Sequence, residues 1–153
     1  MNLSDYKKKY EQIDIITFGG TIKHKYENDR WKFIYTEQPT SKYISPSNNC
    51  LCIPTGKINN LFVLEILDIA SWNQLLIKHN KKEPKTIKVV SQNGDMYLYF
   101  KYETRFEDIR TSLYCISSKY AINIKTNDGF IIAPPSSCYN EILKKTVVKN
   151  YER

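Results

Sequence analysis

Histidine is scarce in this 153-residue chain: there are two, His24 and His79, while the four cysteines, Cys50, Cys52, Cys115 and Cys138, form no CxxC pair. Without paired Cys/His ligands at metal spacing, a structural zinc site is not expected. Each histidine lies beside a lysine in polar sequence, far from the other, which suits surface residues better than ligands or bases. Long apolar runs are missing, and with no legible signal peptide or membrane span the expectation is an intracellular, reducing location of unassigned compartment, with no membrane partner. Cys50 and Cys52, two apart on a β-type run, then face one side and pack as small hydrophobes. No internal repeat or low-complexity block is visible.

What is present points to one globular domain over 1–153, since 41% hydrophobic residues in a chain of this length can bury a core without disulfides. The formal net charge of +7 gives a field that attracts nucleic acid, nucleotide or another anionic surface before any specific contact forms. Basic runs at 7–9, 78–85 and 144–149 are solvated faces first and phosphate contacts second. Aromatics at 13%, twelve of them tyrosine, serve equally as stacking faces for bases or as bulky core filler.

In chain order, 1–10 is a lysine-rich arm or short first helix, and 13–18 is a β-type run closed by Gly19-Gly20. The segment 21–26 alternates enough to pair back on that run. Trp31, Phe33 and Tyr35 at period two mark a strand over 28–36, and 37–49 is a loop by composition. A short apolar strand then leads through Pro54-Thr55-Gly56-Lys57 to a second strand over 61–67. Helical spacing follows over 69–80, with Asp68 or Ser71 as cap, and Pro84 lies in the segment that ends it. Segments 86–90 and 96–102 flank Asn93-Gly94, the strongest short-range hairpin signal. A short helix is expected over 105–112 and strands over 113–116 and 121–124. Asn127-Asp128-Gly129 turns into a strand over 130–133, Pro134-Pro135-Ser136 stops it, and 141–150 is a basic tail. Strand, helix, strand, strand is a split β-α-β beginning, typical of α+β folds with helices on one face.

The chain is organised around 49–68, whose second strand delivers carboxylates at Glu65 and Asp68. A rigid strand that carries acids at its end is one way to hold a metal or a reacting phosphate at a sheet rim. By ordinary alternation the same Glu65 is a solvent-facing residue on a core strand.

Three ordered blocks, Asn49 to Leu67, Val89 to Phe100 and Ile122 to Ser136 with its Gly-Phe-Ile-Ile-Ala-Pro-Pro-Ser run, resemble the bifunctional DNA primase/polymerase domain. This prim-pol branch of the archaeo-eukaryotic primase superfamily occurs in plasmids, viruses and phage-derived elements. The resemblance covers about 45–137 and implies an α+β, prim-pol-like fold: a mixed or antiparallel sheet with an RRM-like core and flanking helices. It also implies two-metal nucleotidyl transfer, in which carboxylates on strands hold Mg²⁺ or Mn²⁺ and a histidine grips the triphosphate.

At the catalytic positions the chain departs from that pattern. Glu65 falls on the first aspartate, Leu67 on the second, Tyr97 on the histidine and Asn123 on the third aspartate. Asp68 is adjacent to the lost second position, but a shift of one residue on a strand turns a side chain to the other face. Ser91, Gly94 and Tyr97 remain as nucleotide-binding positions in a hairpin thinned to one glycine.

The expectation is therefore a catalytically impaired primase/polymerase-like domain that binds DNA, single-stranded or template-primer, and nucleoside triphosphates. Two alternatives stand beside it. One is a reduced but active enzyme in which a bulge lets Glu65 and Asp68 share one metal. The other is a non-enzymatic docking subunit of a replication complex, paired with a separate helicase chain.

Overall fold

A computed structural model describes residues 2–21, 23–27, 30–34, 43–90, 94–112, 119–134, 137–140 and 145–148. Contacts divide the chain into two units, Met1–Pro54 with Phe130–Asn150, and Thr55–Gly129 with Tyr151–Arg153. Among the described residues each combines strands with one α-helix, so the chain is α+β, as its pattern predicts.

In the first unit α1 (Leu3–Glu11) starts on a capping box: the Asn2 side chain accepts from the Asp5 N–H, and Asp5 returns the bond to the Asn2 N–H. No α1 residue is buried, so polar anchors hold it. Lys7 Nζ donates to the Thr17 carbonyl at 3.0 Å, and the Tyr10 hydroxyl donates to the Pro134 carbonyl. Beyond α1 the chain turns, with Asp14 in the left-handed region at φ 59°.

The strand expected over 13–18 is therefore cut to β1 (Phe18–Gly20), and Ile13 and Ile16 are exposed. The two glycines belong to the strand instead of closing it. Nor does the next segment pair back on it. β2 (Lys23–Glu27) pairs with β3 (Arg30–Ile34), while β1 pairs with β4 (Cys50–Pro54). β4 is the centre of a three-stranded antiparallel sheet completed by β9 (Phe130–Ile132). Cys50, Leu51, Cys52 and Ile53 are all buried, and the two cysteines pack with Phe130 and Ile132 as expected of small hydrophobes. β10 (Ser137–Asn140) pairs antiparallel with β11 (Lys145–Val148), which lies in the 141–150 stretch expected to be a basic tail.

The second unit is built on β5 (Leu61–Ile66). From its end α2 (Ile69–Lys78) leads to β6 (Ile87–Val90), which turns back into β7 (Met96–Lys101), and β8 (Ile122–Lys125) completes a sheet of order β6-β7-β5-β8. All three ladders are antiparallel. α2 and β6 skip one strand position, which β7 then fills; this is a split β-α-β arrangement.

Phe62, Leu64 and Ile66 lie on the face beneath α2. There Ile66, Met96, Leu98, Tyr120 and Ile122 surround Trp72, with Leu75 and Leu76 of the helix against them. Positions 72, 75 and 76 are one helical stripe, and burying side chains of this size contributes roughly 1.5–3 kcal/mol each.

The helix expected over 105–112 is only a 3-10 turn, Thr104–Phe106. Beyond it Arg110 and Ser112 bridge to Asn127 and Ile124. The cause is Thr111, whose hydroxyl accepts from the Thr126 N–H at 2.9 Å and also contacts the Thr126 and Asn127 carbonyls, drawing the segment out along β8. The strand expected over 113–116 lies outside the described residues.

Two glycines take positive φ, Gly56 at 92° and Gly94 at 86°. A Cβ on Gly56 would meet Asn127 Oδ1 at 2.4 Å and Asn127 backbone at 2.6 Å, whereas one on Gly94 meets nothing within 4 Å. Gly56→Ala should therefore destabilise the protein by about 1–3 kcal/mol in urea unfolding, and more than Gly94→Ala, which carries backbone strain alone. Equal losses would show that the Asn127 contact carries no weight.

Candidate functional site

Three of the residues singled out in the sequence stand in one row across the sheet. Glu65 on β5 pairs with Tyr97 on β7 and with Asn123 on β8. Asn123 is 3% exposed, and its Nδ2 donates to Glu65 Oε1 at 2.8 Å. Glu65 and Tyr97 are half-buried. The row lies on the sheet face opposite α2, one residue before the ladder ends at Ile66, as period-two alternation dictates.

The same alternation brings two residues to this face that were not singled out. Lys125 lies two residues from Asn123 and pairs with Val63, and Tyr99 lies two from Tyr97. Their spacing from 97 and 123 was the signal that could have found them.

The remaining positions separate from the row. Leu67 is past the last ladder pair, its N–H donating to the Ala121 carbonyl at 2.9 Å and its side chain 40% exposed. Asp68 is exposed and occupied with the start of α2. It accepts from the Ala70 N–H at 3.1 Å and from the Ser71 hydroxyl at 2.7 Å, so Asp68 is the cap and Ser71, the alternative, supports it from inside the first turn. Gly94 is exposed in the hairpin loop, at the Ile66 end of the sheet, and Ser91 lies outside the described residues.

The bulge that would let Glu65 and Asp68 share a metal is not there. β5 pairs residue for residue through Ile66↔Met96 on one side and Ile66↔Ile122 on the other.

A site for two divalent cations is built from several hard, anionic oxygens. The row offers one carboxylate, one amide and one phenol, and these do not fit a Mg²⁺ or Mn²⁺ pair. Among the described residues no three His, Cys, Asp or Glu side chains group as metal ligands. What the row can do is hydrogen-bond: a carboxylate accepts, an amide does both, and a phenol does both.

A groove of about 810 Å³ lies elsewhere, in the first unit between α1, 14–17 and Tyr43-Ile44. Its charged lining is partly self-paired, since Lys7 bridges Glu11 at 3.2 Å. Neither a family model nor a curated protein matches the chain. Among the described residues no helix is long and apolar enough to cross a membrane.

Two measurements test this geometry. Asn123→Asp replaces the amide donor with a second carboxylate, and like charges at hydrogen-bond distance cannot both ionise cheaply. Its unfolding free energy at pH 8 should fall by about 1–3 kcal/mol, and the deficit should shrink at pH 4, where one proton can be shared. A variant as stable as the wild type at both pH values refutes the Glu65–Asn123 bond.

The second concerns Asp68, whose carboxyl is held below the usual 3.8 chiefly by the Ser71 hydroxyl, against desolvation, with the Ala70 and Ser71 N–H groups adding. A depressed folded-state value stabilises above the unfolded pKa and loses that contribution as pH falls through the folded one. Asp68→Ala should therefore lower the unfolding midpoint at pH 7 and approach the wild type as pH drops below 3.8. A deficit that does not change with pH would assign the cap to geometry alone.

Proposed function

We propose that this chain is a nucleic-acid- or nucleotide-binding α+β domain of primase/polymerase type that does not carry out metal-dependent nucleotidyl transfer. The observation that carries the proposal is the row Glu65, Tyr97 and Asn123. These are the positions at which the resemblance calls for an aspartate, a histidine and an aspartate, and they meet on three adjacent strands around a single carboxylate. The split β-α-β strand order supports the same kinship. The other nearby acid, Asp68, is engaged by the α2 N-terminus, and Leu67 offers no ligand.

Without paired metals the row has no means of activating a 3′-hydroxyl or of neutralising a leaving pyrophosphate, so polymerisation is lost. Binding needs only the charge, which at +7 draws a polyanion. Primer extension with a template-primer, four deoxynucleoside triphosphates and Mg²⁺ or Mn²⁺ should give no product above a protein-free control. Fluorescence anisotropy with a labelled single strand should show binding that weakens steeply as salt rises. Robust extension overturns the first half of the proposal, and absent or salt-independent binding overturns the second.

A further inference from the structure

The cations of the second unit are not spread evenly. Lys78 closes α2, and Lys81, Lys82 and Lys85 follow within seven residues, on a segment with no regular structure that runs from the helix end to β6. All four are exposed, and none forms an ion pair among the described residues. The one acid among them, Glu83, is turned away from them. Its Oε1 accepts from Trp72 Nε1 at 3.2 Å and its Oε2 pairs with Lys88 at 3.4 Å. Trp72 is 6% exposed and belongs to the core beneath α2. The contact therefore fastens the segment to the unit and engages the one carboxylate among the lysines with Trp72 and Lys88.

Helix termination does not account for the cluster. Favourable interaction with the helix dipole is confined to the last turn, which holds Lys78 alone of the four. The helix end is closed by backbone bonds, Asn80 N–H to the Ile77 carbonyl and Lys81 N–H to the Leu76 carbonyl, with Asn80 left-handed at φ 51°. Lys82 and Lys85 lie beyond it and donate to no carbonyl among the described residues.

We infer that 78–85 is a contact surface for the phosphodiester chain of a nucleic acid. The inference rests on the binding half of the proposed function and assigns that binding to a place. A nucleic-acid strand, with a negative charge every ~3.4 Å, presents several phosphates to a segment of this length. A lipid surface is the poorer fit. The apolar stripe of α2, Trp72, Leu75 and Leu76, is turned onto its own sheet, leaving Ile69 and Ile77 as exposed apolar residues of the helix.

The test compares the full chain with a variant carrying Lys78→Gln, Lys81→Gln, Lys82→Gln and Lys85→Gln, and with one carrying arginine at the same four positions. A labelled single-stranded DNA is titrated between 50 and 200 mM salt, roughly the range over which phosphate contacts are read. Each lost phosphate contact removes about 0.7 from the slope of log affinity against log salt. The glutamine variant should flatten that slope by about 2–3 and bind at least about tenfold more weakly at the low-salt end, and the arginine variant should keep both values.

If the wild type binds and the glutamine variant matches it in affinity and slope, the surface is elsewhere and the inference fails while the proposed function stands. If the wild type does not bind at all, the binding half of the proposed function fails and takes the inference with it. If the substitutions abolish binding to vesicles of phosphatidylserine and phosphatidylcholine but leave DNA binding intact, the surface belongs to a membrane and the inference is overturned.

Discussion

β5 has neighbours on both edges, β7 and β8, and apolar side chains toward both faces, with Phe62, Val63 and Ile66 buried. A strand held this way cannot slip by one residue, because every side chain would change face and both ladders would have to re-form. The position of Glu65 follows from that constraint. So does its pairing with Tyr97 and Asn123, since the antiparallel register that buries Ile66 between Met96 and Ile122 leaves no other partners one step earlier. The unit therefore holds a half-buried carboxylate in a fixed place and gives it an amide partner.

The elements with strong local signals were legible in the sequence. β5 and α2 have clear β-type and helical apolar patterns, Asn93-Gly94 marks the turn from β6 to β7, and Asp68 marks the start of α2 with a short polar side chain that takes a backbone N–H. What was not legible depends on distant partners. β1 is three residues long and two are glycine, so nothing local says that it joins β4 and not the segment after it. Residues 107–112 have an ambiguous composition, and the Thr111 hydroxyl that settles their path bonds to residues about one strand away. α1 buries no residue and owes its place to Lys7 and Tyr10, which reach backbone carbonyls and not a core.

The same division runs through the candidate site. The meeting of Glu65, Tyr97 and Asn123 follows from alternation and strand order. The use of Asp68 as a cap removes it from any shared chemistry with Glu65, a choice between two roles that each looked reasonable in the sequence. The lysines of 78–85 looked like an ordinary solvated run. Their distinction comes from Glu83, whose bond to Trp72 could not be read from spacing.

Residues 55 and 129 of the second unit meet. The Thr55 N–H donates to the Gly129 carbonyl at 2.9 Å, and in the first unit Pro54 pairs with Phe130 across β4 and β9. The chain thus leaves the first unit after Pro54 and re-enters it at Phe130, two residues paired across one ladder. Because Pro54 and Phe130 are paired and Thr55 and Gly129 are bonded side by side, a change of length inside 55–129 need not part β4 from β9.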